Sequence, residues 1–506
     1  MKMPMLPVLL LLLTFAPLSV AQSPGGEPQS AAAVLRAAID AMGGEEVLRA
    51  IHRVRLEQHG HTNLLEQSER PEGPWIVQYE QRVVELDFER AVARIAVTAS
   101  GMPGNPGGES KMVFAEGVAL RVFGPEREMP DPSLAQEFQA QLELSPPRAL
   151  LTALAAGDLQ VAAPTVLQGT PQQVLTFTWR GVPARLVLNA ATHLPTAVEW
   201  VRADPTSFFF GVWGDVTTRV AWSFWHLERG GLRLPRQLDI EKNGQPWQSS
   251  LSVQLELEPV VEPVAISEAA KTAFAAQSAR TIQDQALGKR VCEIGPGVVQ
   301  LLNGWNVTLV RQDDGVVVLE APYSAGYSER VLAEVERRFP GEKVKAVVTA
   351  SDAWPHLGGV RGYVARGIPV YVLDLNQPIL DRLVAAPFEQ CPDTLAKHPA
   401  KPEWRVVRGK TVIGQGHNVL ELHPLRTETG ERMLMAWLPE LRALYAADLV
   451  QPMGKDVFFM PQYLAEVREA VRRENLEVAS VFAMHAPLLP WSAIEAAIAG
   501  VTAKGQ

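Results

Sequence analysis

Residues 344–372 leave this chain little choice of local structure. Val344-Lys-Ala-Val-Val348 is short and β-branched, the pattern of a buried strand. Ser351–His356 is polar and contains Pro355, which predicts a loop. Gly358–Arg366 predicts a short helix, and Gly367 ends it because glycine accepts the left-handed conformation at a helix C-terminus. Ile368–Leu373 is apolar again and reads as a second strand. In a strand–loop–helix–strand unit, chemistry belongs to the loop at the carboxyl end of the first strand.

The residues of that loop carry a resemblance. Thr349 and the run His356-Leu357-Gly358-Gly359-Val360-Arg361 resemble the metallo-β-lactamase fold superfamily. There the same strand leads into Thr-His-x-His-x-Asp-His, an apolar residue and Gly-Gly, and the motif holds one or two metal ions. This chain keeps the frame and loses ligands. With His356 on the last histidine, the earlier two fall on Ser351 and Ala353. The aspartate falls on Pro355 and the threonine on Ala350. Ser, Ala and Pro side chains are not useful ligands for a divalent cation.

Other landmarks follow in family order. Val298–Leu302, Asn306–Val310 and Gly315–Glu320 match the opening strands, although the family's Asp-x-Gly is Glu320-Ala321-Pro322 here. Leu438-Pro439 and the strand from Ala443 put Asp448 on the family's metal-bridging aspartate. The third histidine aligns with Thr429, while His417 and His423 are out of register. His485 falls on the last histidine ligand. The resemblance therefore implies an αββα sandwich over residues 289–500 with His356, Asp448 and His485 as metal ligands. Two imidazoles and one carboxylate suffice for one zinc ion and leave a place for water. Asp352, in the same loop, is the candidate catalytic group in place of the carboxylate lost at Pro355.

Two readings stay open. One is a single-zinc hydrolase acting on an ester, thioester or amide-like substrate. The other is a pseudoenzyme, without metal, that binds a small-molecule or envelope-derived ligand. His398, His417 and His423 read as surface or packing residues, and Ser351 lacks the Gly-x-Ser-x-Gly setting of a nucleophile.

Residues 31–260 read as a separate, strand-rich α+β region. The alternation of Val54–Glu57, Val83–Phe88, Ala93–Val97 and Gln173–Trp179 predicts antiparallel strands with one wet face. Leu134–Leu144 and Pro147–Ala156 read as helices. Trp222-Ser-Phe-Trp225 and Gly230-Gly-Leu-Arg-Leu-Pro235, followed by alternating strands, resemble the half-barrel of lipoprotein-carrier-like periplasmic domains, which wrap a curved sheet around apolar material. Phe208–Phe210, Trp213, Trp222, Phe224 and Trp225 either pack a core or line an apolar groove. Pro259 and Pro263 mark a boundary, and 261–288 reads as a helical connector.

The first residues predict the compartment. Lys2, the apolar run Leu6–Phe15 and the small-x-small Ser19-Val20-Ala21 make residues 1–21 a secretory signal peptide, cut after Ala21. A flexible leader, 22–30, follows. The expected location is periplasmic or secreted, with no membrane-spanning segment after cleavage. A net charge of −9 without a basic cluster excludes nucleic acid as a partner. Export permits a disulfide between Cys292 and Cys391, the only two cysteines; two free thiols are the alternative.

Overall fold

The computed structural model describes residues 30–65, 72–101, 106–123, 127–454 and 457–503. The expected signal peptide lies outside the described residues, as does the leader apart from Ser30. Ser30 caps the first helix, Ala31–Ala41, by accepting a hydrogen bond from the Ala33 N–H.

Among the described residues, thirteen strands of the N-terminal half form one antiparallel sheet. Arg53–Asn63 lies next to the central strand, Gln245–Leu257, and pairs with Val77–Asp87 on its other side. From there the sheet meanders outward to Arg127–Pro130 at one edge and Gln160–Leu167 at the other. Helices Pro132–Leu144 and Pro146–Ala155 join the two meanders in sequence. Phe138 packs with Val84, Ile95 and Phe114. Leu150 packs with Trp179, Trp200 and the Leu35–Ile39 face of the first helix.

The aromatic group splits between the two expectations. Trp213 and Trp222 are buried, whereas Phe208, Phe209 and Phe224 are exposed. Only Glu268–Ser278 and the turn Ile282–Asp284 of the connector are helical.

The C-terminal half has two further sheets. Arg290–Gly295, Val298–Leu302, Val307–Gln312 and Gly315–Leu319 are antiparallel neighbours, and Val344–Val348, Val370–Leu373 and Trp404–Val407 continue that sheet in parallel. The second sheet runs Thr411–Ile413, Leu420–Pro424, Leu434–Leu438, Ala443–Tyr445, Ser480–Phe482, Leu489–Pro490. One hydrophobic cluster joins the two, with Val310, Val317 and Val348 from the first and Leu422, Ala436 and Leu444 from the second. Every position of Gly315–Leu319 and Leu434–Leu438 is buried, as expected of strands covered on both faces. Helices Ala325–Arg338, Val360–Ala365 and Gln377–Ala385 cover the first sheet through Val331, Tyr363 and Leu380. Helices Pro461–Arg473 and Trp491–Ala503 cover the second through Leu464, Val467 and Ile494.

The two halves share packing. Trp213 and Val216 belong to the same cluster as Tyr327 and Trp354. The Asp215 carboxylate accepts from the Glu389 and Gln390 backbone N–H groups, at 2.8 and 3.3 Å. Both cysteines are free thiols.

Residues 351–356 depart from the expected loop. A helical turn, Trp354–Leu357, begins there, because Pro355 suits the first turn of a helix, where its missing N–H costs nothing. Gly367 does terminate the following helix with φ of 66°. Its N–H and that of Ile368 bond back to Val364 and Tyr363, the Schellman arrangement.

Arg361, in the same motif, is buried and fully engaged. Its guanidinium holds Asp393 at 2.6 and 3.0 Å and donates to the carbonyls of Leu383 and Val384. It thereby ties the helix after His356 to the end of Gln377–Ala385 and to Asp393 beyond it. Removing one partner of a buried pair strands the other charge. Arg361→Ala should cost about 3–5 kcal/mol in denaturant-induced unfolding; a loss under about 1 kcal/mol would show that the pair is not holding these segments together.

Candidate metal centre

Three strand-end loops of the C-terminal half converge. The first follows Val344–Val348. Its Ala350 N–H donates to the Glu320 carboxyl at 3.2 Å, and the Tyr445 hydroxyl donates to the same group at 2.9 Å. Glu320 is completely buried and has φ of 78°. Burial pushes its pKa up to about 8, with the Asp448 charge adding to the rise and the two hydrogen bonds opposing it. At neutral pH Glu320 therefore keeps its proton.

His356 is also buried. Ser351 Oγ lies 3.0 Å from its Nδ1 and orients the ring. Burial lowers its pKa to about 4, His485 adds to the fall, and Asp448 opposes it. The imidazole is neutral, the form in which histidine ligates metals. Trp305 meets the ring edge-on, with centroids 5.3 Å apart.

Asp448 and His485 come from the second sheet. Asp448 follows Ala447, which has φ of 47°. Asp448 Oδ1 lies 2.8 Å from His485 Nε2, and Oδ2 lies 3.8 Å from His356 Nδ1. One potential ligand atom from each of His356, Asp448 and His485 lies within 4.8 Å of the others. His485 is the open side of the group, with 26% of its side chain exposed. Its turn is fixed from the opposite sheet: Gln300 Nε2 donates to the Ala483 and Ala486 carbonyls, and the Asn306 N–H donates to Met484. Tyr323, like Glu320 and Ala447, has a left-handed backbone.

The other sequence candidates lie apart from this group. Asp352 is buried in the same loop but is not one of the three converging residues. Thr429 bonds the Glu466 carboxylate through its hydroxyl at 2.6 Å. His423 is buried between Glu474 and Glu421, at 3.1 and 3.4 Å. His417 faces Asp313 on the surface, and His398 is exposed. Glu320, Gln300, Asn306 and Trp305 were not anticipated as site residues. Polar residues inside otherwise β-branched strands are the one sequence signal that marks Glu320 and Gln300.

No protein-family model and no curated protein matches the chain. Solved structures do. A metallo-β-lactamase from Pontibacter korlensis matches 42% of this chain and 98% of its own at 16% identity, with a TM-score of 0.32. The DIM-1 metallo-β-lactamase and TMB-1 each match 44% of this chain and all of their own at 14% identity, with TM-scores of 0.33.

Glu320 sets a pH dependence. Its folded pKa, about 8, exceeds the ordinary carboxylate value of 4.5. The folded state therefore binds the extra proton between these values, and stability falls as pH rises from about 4.5 through 8. The fall is at most about 5 kcal/mol. In chelator-treated protein, Glu320→Gln should flatten this slope and raise the denaturation midpoint at pH 8. Parallel curves for the two proteins would mean that Glu320 is already ionised in the fold.

Proposed function

We propose that this protein is an exported hydrolase of the metallo-β-lactamase fold with a reduced, single-zinc centre at His356, Asp448 and His485. The observation that carries the reading is the convergence of these three side chains, from three separate strand-end loops, to within 4.8 Å. The donor set fits zinc: two imidazoles, one of them held neutral by burial, and one carboxylate. The layered sheets and outer helices of residues 290–503 support the αββα sandwich. Lys2, Leu6–Phe15 and Ser19-Val20-Ala21 support export, and no described helix is long and apolar enough to cross a membrane.

Bound zinc would supply a Lewis acid that activates water against an ester, thioester or amide-like centre. The chain's own residues do the rest. Ser351 fixes the His356 ring. Trp305 shields that ring on one side and leaves His485 as the approach. Neutral Glu320 braces the first loop without adding a second negative charge beside Asp448. Asp352 is the proposed proton-handling carboxylate of the loop.

A pseudoenzyme that binds a ligand without metal is the second reading. It is favoured by one observation: Asp448 and His485 already satisfy one another at 2.8 Å. Zinc-loaded protein tested against nitrophenyl esters, a thioester, a β-lactam and a phosphodiester separates the two. Hydrolysis of at least one class, reduced at least about 100-fold in Asp448→Asn (about 2.7 kcal/mol of barrier), is expected. Turnover that Asp448→Asn leaves intact, or none against any class, would overturn the hydrolase reading.

A further inference from the structure

A cavity of about 350 Å³ lies between the thirteen-stranded sheet and the helix Pro132–Leu144. Its volume falls within the range of small-molecule sites. His356, Asp448 and His485 are not among its lining residues.

The strand pairing sorts the lining into two ends. Leu56, Val84, Ile95 and Met112 are successive cross-strand partners and form an apolar row. Thr62 pairs with Gln78 on one side and Gln248 on the other, and these form a polar row. Leu56 and Thr62 share a strand and a face, so the rows are about 20 Å apart at about 3.3 Å per residue. Phe138 closes the apolar part from the helix.

Lys242 stands on the polar side, next in its strand pattern to Ile240, the partner of Gln248. It is only 9% exposed. Its ammonium lies over the Trp247 and Phe210 rings, 4.7 and 5.1 Å from their centroids. The carboxyl facing it, Glu137, stays at 3.9 Å, beyond hydrogen-bond reach. Burial raises the pKa of Glu137 and the Lys242 charge opposes the rise; Asp204, also buried, is a second carboxylate that feels the Lys242 charge. The arginines of the wall are already committed, Arg82 to Glu80 and Arg121 to Asp131. Two buried polar atoms of the lining, Gln141 Oε1 and Trp222 Nε1, have no hydrogen-bond partner among the described residues. Such atoms in a folded protein call for an explanation, and a missing ligand supplies one.

We propose that this cavity is a binding site for a single-chain amphiphile with a carboxylate head, its chain along the Leu56–Met112 row and its head on Lys242. The apolar row selects the chain. Lys242, a buried cation in a long 3.9 Å ion pair with Glu137 that leaves its hydrogen-bond donors open to a closer anion, selects the charge and sign of the head. The site is independent of the proposed zinc chemistry.

Calorimetric titration of the intact protein with dodecanoate and with dodecylammonium, both below their micelle concentrations, tests this. Dodecanoate should saturate at one per chain and bind at least tenfold more tightly than dodecylammonium. Lys242→Met should lower dodecanoate affinity at least tenfold and abolish the preference for dodecanoate over dodecylammonium. Met112→Trp, which fills the apolar row, should weaken dodecanoate binding without removing the head-group preference. Equal affinity for the two head groups, no saturable binding, or a Lys242→Met protein that binds dodecanoate normally would each overturn the proposal. If Lys242→Met does not fold, the head-group comparison in the unaltered protein decides alone.

Discussion

The C-terminal half depends on how closely two backbones approach. A Cβ at Gly358 would lie 2.3 Å from the Tyr323 carbonyl oxygen, and one at Gly359 would lie 2.4 Å from Ser328 Oγ and 2.9 Å from the Ala321 carbonyl oxygen. Neither glycine has a left-handed backbone; contact alone excludes a side chain. The approach is sealed by Gly359 N–H to the Ala321 carbonyl at 2.8 Å and Tyr323 N–H to the Pro355 carbonyl at 2.9 Å. This clamp fixes the turn that carries His356. Arg361 extends it to Asp393, and Trp354 against Trp213 extends it to the N-terminal half.

Around this frame the charges are arranged economically. Burial keeps His356 neutral and Glu320 protonated, and the Asp448 carboxylate acts on both. Isolated charges in a dry interior are costly. Asp448 offsets that cost through His485 at 2.8 Å and Gln451 at 3.1 Å. A cation placed among these three side chains would find one neutral imidazole and one carboxylate already oriented.

Much of the C-terminal frame was legible because its signals are local. The β-branched run at 344–348, the Gly-Gly pair and the Gly367 stop need only their neighbours to be understood. His356, Asp448 and His485 could be singled out because each falls on a ligand position of the resemblance, in a loop that follows a strand. The partners that position them could not. Tyr445 reaches Glu320 across 125 residues, and Gln300 reaches Ala483 across 183. Such contacts exist only once both sheets have packed. The same holds in the N-terminal half. Its alternating strands are visible in the sequence, but the pairing of Arg53–Asn63 with Gln245–Leu257 and the cavity beneath Pro132–Leu144 are products of closure. Glu109, Ser110 and Lys111 also break the apolar alternation, which hides the strand Gly108–Ala115 behind a Gly/Pro-rich stretch.

The most direct measurement is the zinc content of the purified chain after loading and desalting, by plasma mass spectrometry. A functioning centre at His356, Asp448 and His485 should retain close to one zinc per chain. His356→Ala and Asp448→Asn should lose it while keeping the circular dichroism of the folded protein. A chain that retains no zinc, or variants that retain it in full, would contradict a metal centre at these residues.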